Sequence, residues 1–164
     1  MECVSKKVQD LLKLRIQNEE YSSRLYKAMS NFLEYNGYTG AAKLWDKYSS
    51  EELTHAKWVN SFLLDLDYLP PLPAIKEPPC EFESLPDVIK KSFDHEYQIT
   101  LECKELAKAC LAEGDFLTFG LAQRFINEQV EELAKTQLWV DKLESFGESK
   151  EALKLLDNEM SEHA

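Results

Sequence analysis

Four glutamates and one histidine stand at positions where a helical pattern calls for apolar side chains. In the second predicted helix, apolar residues recur every three or four positions, as a buried helix face requires, and Glu52 and His55 interrupt that series in its middle. Comparable series in the other long helices contain Glu19, Glu96 and Glu132. An isolated buried carboxylate is unfavourable by on the order of several kcal/mol, and four together repel one another. The pattern therefore predicts cations between the helices, most simply a pair of metal ions.

The types and spacing of these residues indicate which metals fit. Glu52 and His55 form a Glu-x-x-His pair, and inward glutamates from separate helices around such pairs are typical of di-iron and di-manganese carboxylate bundles. Oxygen ligands with few imidazoles favour iron or manganese over structural zinc, which prefers cysteine and histidine. No lysine or arginine occupies a position in the apolar series. Lys104 and Arg124 lie beside the series and not in it. We therefore expect metal ions to supply the compensating charge.

Tyr26 follows Glu19 by two helical turns on the same predicted face. A tyrosine in a helix core needs no special explanation. Beside a metal site, its hydroxyl is also able to donate a hydrogen bond, or its ring an electron. Both roles stay open from the sequence.

The elements that must position these residues are long helices. Glycine and proline are scarce, at five and six residues of 164, and leucine, glutamate, lysine and alanine are abundant. We predict an all-α fold in a single domain, residues 1–164. The predicted segments are four long helices at about 5–36, 40–68, 85–113 and 116–146, and a short fifth helix at about 149–160.

The connection 69–84 contains five prolines, which exclude a helix and favour an extended chain. A helix of about 28 residues is about 42 Å long, and sixteen extended residues reach roughly 50 Å. This connection can therefore run the length of a bundle, which makes helices two and three parallel. The short turns elsewhere make their helix pairs antiparallel. The sequence thus predicts an up-down-down-up four-helix bundle with a long crossover.

Composition excludes several classes of partner. The net charge of −11 argues against nucleic acid, which requires a cationic surface. No apolar run is long enough for a membrane span or a secretory signal. The cysteines form no CxxC pair, so free thiols in a reducing cytosol and a cytoplasmic location are expected. These cysteines, whose roles the sequence leaves open, are Cys3, Cys80, Cys103 and Cys110.

From about residue 8 to residue 160, the chain resembles the non-haem ferritins, particularly the bacterial type. Together the matching motifs are specific to that family in their order and spacing. They are Glu19–Tyr26, Gly40–Ala42, Glu51–His55, His95–Glu96 and Glu128–Glu132. The resemblance implies a ferritin-like bundle with a di-iron centre.

The resemblance also assigns a role to each predicted ligand. Glu19, Glu52 and His55 match the ligands of the first iron. Glu52 matches the carboxylate that bridges to the second iron, and Glu96 and Glu132 match the residues that complete the second site.

A third iron site beside this centre is implied by the resemblance. Its acidic residues match Glu51, Glu128 and Glu131, and Glu132, a ligand of the second iron, is shared with it. Gln129 matches a glutamine near the second iron, and Tyr26 matches the tyrosine beside the centre.

Two departures separate the chain from the haem-binding bacterioferritins. Leu53 stands at the position where those proteins have a haem-ligating methionine, so no haem is expected. Glu128 is followed by Glu131, where they have a second Glu-x-x-His pair. The resemblance implies a ferroxidase that oxidises Fe(II) to Fe(III) with dioxygen or hydrogen peroxide. It also implies a 24-subunit homo-oligomeric iron-storing shell, with the segment 149–160 at an assembly axis.

Two other functions stay open from the residues themselves. A di-iron or di-manganese oxidase acting on an organic substrate uses the same ligands, but it requires an apolar channel to the site. A metal-binding structural subunit without turnover is the second alternative.

Overall fold

The computed structural model describes residues 4–164, and within that range every regular element is a helix. The predicted all-α bundle with a short fifth helix is confirmed, and the predicted ends differ from the observed ends by at most three residues. The helices are α1 (Lys6–Tyr35), α2 (Thr39–Asp65), α3 (Leu85–Glu113), α4 (Phe116–Phe146) and α5 (Lys150–His163).

Four of the five helices begin at a residue whose side chain accepts a hydrogen bond from a backbone N–H of the first turn. Serine and aspartate are preferred there because they satisfy donors that have no partner inside the helix. The capping residues are Ser5, Ser84, Asp115 and Ser149. Local sequence therefore determines where α1, α3, α4 and α5 start.

The beginning of α2 depends on a distant residue instead. Tyr38 precedes the helix and makes no side-chain cap. Asp157 of α5 is 1% exposed, and its Oδ1 accepts the backbone N–H of Ala41 at 2.8 Å. A Cβ on Gly40 would lie 2.0 Å from the carbonyl oxygen of Asp157, so only glycine allows α5 to approach so closely. The fifth helix thus docks on the start of the second.

Contacts between α1 and its neighbours establish the topology. As residue numbers rise along α1, those of its partners fall in both α2 and α3, so both helices run antiparallel to α1. The contacting pairs are Ser23 with Ser49, Lys27 with Asp46, Ser22 with His95 and Asn18 with Glu102. Because α2 and α3 are both antiparallel to α1, they are parallel to each other. The predicted up-down-down-up order and its extended crossover at 69–84 are therefore confirmed.

The core consists of two apolar clusters, one toward each end of the bundle. One contains Trp45 and Trp139 and extends onto α5, and the other contains Ile16 and Phe125. Burial of these large side chains fixes the helices lengthwise against one another. The middle segments of all four long helices lie between the clusters, and their inward residues are mostly polar.

Three of the cysteines lie in the described residues, and all three are free thiols. Cys80 is exposed in the crossover, whereas Cys103 and Cys110 are buried in α3. Cys3, also predicted to be free, lies outside the described residues. Between residues 4 and 164, none of the helices combines the length and the apolar character needed to cross a membrane.

Gly40→Ala should reduce the free energy of unfolding by about 1–3 kcal/mol, because the added methyl group forces α5 away from α2. Gly120→Ala is the matched control, since a Cβ at this α4 position meets no heavy atom within 4 Å. The control should raise stability by about 0.5–1 kcal/mol, as alanine does in a helix interior. Urea unfolding followed by circular dichroism measures both changes. A Gly40→Ala protein as stable as the control would contradict the docking of α5.

Candidate metal centre

The five predicted ligands meet in the polar middle of the bundle, and none is more than 5% exposed. Glu19, Glu52 and His55 form one triplet whose ligand atoms lie within 4.8 Å of one another. Glu52, Glu96 and Glu132 form a second triplet by the same criterion. Glu52 belongs to both triplets, so its carboxylate lies between two places where a cation fits. We call these five residues the ligand cluster.

His55 is the only imidazole in the ligand cluster, and carboxylates surround it. Its Nδ1 lies 3.1 Å from Glu52 Oε2 and 3.5 Å from Glu19 Oε2, and its Nε2 lies 3.3 Å from Glu128 Oε1. Burial opposes the charged imidazolium, but hydrogen bonds to Glu19 and Glu52 outweigh it and raise the pKa of His55 to about 11. In the metal-free protein His55 is therefore a cation.

Burial changes the proton affinity of the cluster carboxyl groups as well. Desolvation raises the pKa of Glu132 to about 7 and the pKa of Glu52 well above its ordinary value. Glu19 differs, because the charge of Arg15 overcomes the effect of burial and lowers its pKa. The metal-free cluster thus holds protons that a bound metal has to displace.

Two hydrogen-bond donors hold Glu96. The Tyr26 hydroxyl donates to Glu96 Oε1, and Gln129 Nε2 donates to Glu96 Oε2 at 3.0 Å. Burial raises the pKa of Tyr26 well above its ordinary value, which keeps it a donor. Tyr26 and Gln129 therefore touch a cluster carboxylate, as the sequence predicts.

Although no lysine or arginine occupies a position in the predicted apolar series, two cationic side chains reach the cluster carboxylates. Arg15 Nε lies 2.7 Å from Glu19 Oε1. Lys135 Nζ lies 2.8 Å from both Glu132 Oε1 and Glu51 Oε2. Each cation comes from about one helical turn away on the same helix, and long side chains at that spacing reach a neighbouring carboxylate even from outside the apolar series.

The three additional acidic residues differ in position. Glu128 forms a third triplet with His55 and Glu132, and its side chain is 27% exposed. Glu51 contacts Lys135 and is about one-third exposed. Glu131 is exposed. Among the described residues, neither Glu51 nor Glu131 belongs to a triplet of potential ligands, so the third iron site stays a prediction.

A tryptophan beside the centre escaped the sequence reasoning. The Trp58 ring lies 4.8 Å from the ring of His55 and 5.4 Å from that of Phe125. Arg124 covers its outer face at 3.7 Å. Trp58 follows His55 by three residues, and residues at that spacing share a helix face, so the sequence contains a pattern that predicts this contact.

A cavity of about 370 Å³ lies on the α1–α3 side of the centre. The residues that line it include the polar Asn18, His95 and Glu102. His95 separates it from the ligand cluster, with Nε2 2.7 Å from Ser22 Oγ and its ring against Tyr26. Burial lowers the pKa of His95 to about 4, so this imidazole is neutral.

Comparison with known proteins agrees with this geometry. The family model described as "Ferritin-like domain" matches residues 9–146. The chain belongs to the ferritin family. The bacterial non-heme ferritin of Escherichia coli O157:H7 is 35% identical over 143 residues, which are 87% of each chain. That of Campylobacter jejuni is 36% identical and covers 94% of this chain and 92% of the relative.

Solved ferritin structures share the whole fold. The open pore ferritin from the hyperthermophilic archaeon Archaeoglobus fulgidus superposes with a TM-score of 0.93 at 34% identity. The match covers 96% of this chain and 97% of that one. At this identity and coverage, the family and the architecture are established together.

The donor set of this ferritin fits iron. Each triplet offers carboxylate oxygens, with one imidazole in the first, and such ligands favour hard divalent and trivalent cations over a structural zinc ion. Glu19 Oε1 and Glu132 Oε1 are buried and make no hydrogen bond, although each lies close to a cation.

Binding of Zn(II), a redox-inert probe, should release protons and should tighten as the pH rises from about 6 to about 8. The sign follows from the raised pKa of His55 and Glu132, which are protonated in the metal-free state and must lose those protons to ligate. Isothermal titration calorimetry in buffers of different ionisation enthalpy counts the protons. His55→Ala should lower the count, and the exposed His163→Ala should not. An affinity independent of pH would contradict the prediction.

Proposed function

We propose that the ligand cluster is the di-iron centre at which this ferritin oxidises Fe(II) to Fe(III), so that iron is stored as ferric mineral. Ferroxidase activity and iron storage are the function of the family to which the chain belongs. The observation that carries the site assignment is the pair of overlapping triplets that share Glu52. Two cations bound there share one carboxylate, which is how a protein holds two metal ions close together.

In this proposal, two Fe(II) ions are the substrates. Glu19, Glu52 and His55 hold the first ion, and Glu52, Glu96 and Glu132 hold the second. Each ion gives up one electron, and dioxygen or hydrogen peroxide accepts the pair together with protons. The negative carboxylates stabilise Fe(III) more than Fe(II) because the attraction grows with the charge of the metal.

The protein contributes position and proton release. His55 loses its proton on ligation, and Glu132, with a pKa of about 7, is partly ionised at neutral pH. Tyr26 and Gln129 hold Glu96 in place with their hydrogen bonds. Fixed ligands of this kind reduce the reorganisation that oxidation requires.

A third iron beside the centre is the finer part of the proposal. Glu128 supports it, because this residue reaches both His55 and Glu132. Glu51 and Glu131 require side-chain movement to join it, and Lys135 now pairs with Glu51. Binding of two rather than three Co(II) ions per subunit in an anaerobic titration would remove the third site and leave the di-iron centre.

We further propose that the subunits form a 24-membered hollow shell without haem. Structural similarity to a ferritin along nearly the whole chain supports the shell. Leu53, which is 48% exposed on α2, has no donor atom for a haem iron. A Soret absorption band in the purified protein would exclude the haem-free assignment.

An oxidase of an organic substrate has less support. Such an enzyme requires an apolar channel to the metals. The cavity on the α1–α3 side of the ligand cluster contains polar side chains, including Asn18 and Glu102, and His95 separates it from the cluster.

Glu52→Ala or His55→Ala should slow the initial rate of Fe(II) oxidation by at least about tenfold, since loss of even an outer-shell partner of a metal site costs roughly 10–100-fold. Glu105→Ala is the matched control, because Glu105 is an exposed carboxylate on α3 that pairs with the exposed Lys108. Stopped-flow absorption of the ferric product measures the rates. Equal rates in all variants would overturn the site assignment.

The native mass should be close to 24 times the subunit mass of 19.0 kDa. Sedimentation velocity or light scattering measures it on the purified protein. A stable monomer or dimer would exclude the shell and leave the oxidation chemistry intact.

A further inference from the structure

The ligand cluster has a cationic side chain at each end, and neither belongs to the set of metal ligands. Arg15 lies 2.7 Å from Glu19, and Lys135 lies 2.8 Å from Glu132. Glu19 is a terminal ligand of one triplet, and Glu132 is a terminal ligand of the other. Each cation therefore contacts a carboxylate that belongs to one of these two triplets and not to the other.

Arg15 is fixed deep in the bundle. It is only 3% exposed, and its Nη1 lies 3.3 Å from Glu102 Oε2 and 3.5 Å from Cys103 Sγ. The guanidinium also lies 5.9 Å from the centre of the Phe125 ring. An arginine keeps its charge in any protein environment. A permanent positive charge thus lies beside the first metal position whether or not metal is bound.

Lys135 lies on the more solvent-exposed side of the ligand cluster. Its side chain is 34% exposed and bridges Glu51 and Glu132. Its ammonium group also lies 5.1 Å from the centre of the Tyr48 ring, where a cation is attracted to the aromatic face. Attraction to the two carboxylates outweighs burial and raises the pKa of Lys135, so it too is charged at neutral pH.

The two contacts leave one oxygen of each terminal carboxylate for metal. Arg15 takes Glu19 Oε1, while Glu19 Oε2 lies toward His55. A cation that enters the cluster has to share each terminal carboxylate with a resident charge and is repelled by that charge. The same two charges stabilise the carboxylates when no metal is bound, because they reduce the repulsion within the cluster.

We propose that Arg15 and Lys135 are resident counter-ions that stabilise the metal-free cluster and lower its affinity for metal, so that iron passes through the centre instead of staying there. This inference rests on the proposed di-iron centre. The repulsion grows with the charge of the metal, so Fe(III) is destabilised relative to Fe(II) by both residues. A storage protein benefits because the oxidised product leaves and the site accepts the next pair of ions.

The test measures equilibrium binding of Co(II), which is not oxidised by the centre and absorbs visible light when bound. Anaerobic titrations at pH 8, where protons compete least with the metal, compare wild type with Arg15→Gln and Lys135→Gln. Each neutral variant should bind Co(II) about tenfold or more tightly, because one repelling charge is removed. Arg15→Lys keeps a positive charge beside Glu19 and Glu102 and should stay within about threefold of wild type.

Lys90→Gln is the matched control for the loss of a lysine. Lys90 pairs with Glu148 at 3.2 Å on the surface, and both side chains are more than half exposed. Its variant should bind Co(II) as wild type does. The metal-free Arg15→Gln protein should also melt at a lower temperature than wild type, and added Co(II) should raise its melting temperature by more than it raises that of wild type.

The outcomes separate this inference from the proposed function. If wild type binds no more Co(II) than Glu52→Ala, the di-iron centre itself is wrong. If wild type binds Co(II) and both neutral variants bind it equally or more weakly, the centre stands and the counter-ion role is overturned. If Arg15→Gln does not fold, Lys135→Gln alone tests the counter-ion role. The Lys135 side chain is partly exposed, so its replacement leaves no buried cavity.

Discussion

A layer of ionisable groups lies across the middle of the bundle, and the free energy required to bury it governs the arrangement around it. Four carboxyl groups in a low-dielectric interior are strongly unfavourable when ionised and unpaired. The described structure compensates them in three ways: burial keeps protons on some of them, hydrogen bonds hold Glu96, and Arg15 and Lys135 supply positive charge. Metal ions replace protons in this balance, which links binding to pH.

The apolar clusters on either side make such a layer possible. They bury large side chains such as Trp45 and Phe125, and this burial determines where along the bundle axis the polar residues of each helix lie. Because α2 and α3 are parallel, the chain needs an extended crossover to return along the bundle, and the five prolines of 69–84 keep that segment from folding into a helix. Asp157 docks α5 against the end of the bundle where α2 begins.

The two ends of the centre differ in their access to water. At the Glu19 end, Arg15 is buried. At the Glu132 end, the side chains of Lys135 and Glu128 are 34% and 27% exposed. Charges near water are screened much more than buried charges are. The Glu19 end of the ligand cluster therefore has the stronger fixed field, and the Glu132 end is the more open to solvent.

Periodicity was enough to predict the helices, the order of the bundle and the five cluster residues, because it identifies inward positions and a charged residue inside an apolar series is conspicuous. Which charges meet followed only from the packing of the helices in three dimensions. Arg15 and Lys135 lie outside the apolar series, and long flexible side chains reach partners that a one-dimensional pattern does not show. The cap of α2 by Asp157 and the tilted ring contact between Trp58 and His55 were likewise fixed only by packing. Glu51, Glu128 and Glu131 share a charge and a motif, yet the fold places them at different depths, since neighbouring positions on a helix face different directions.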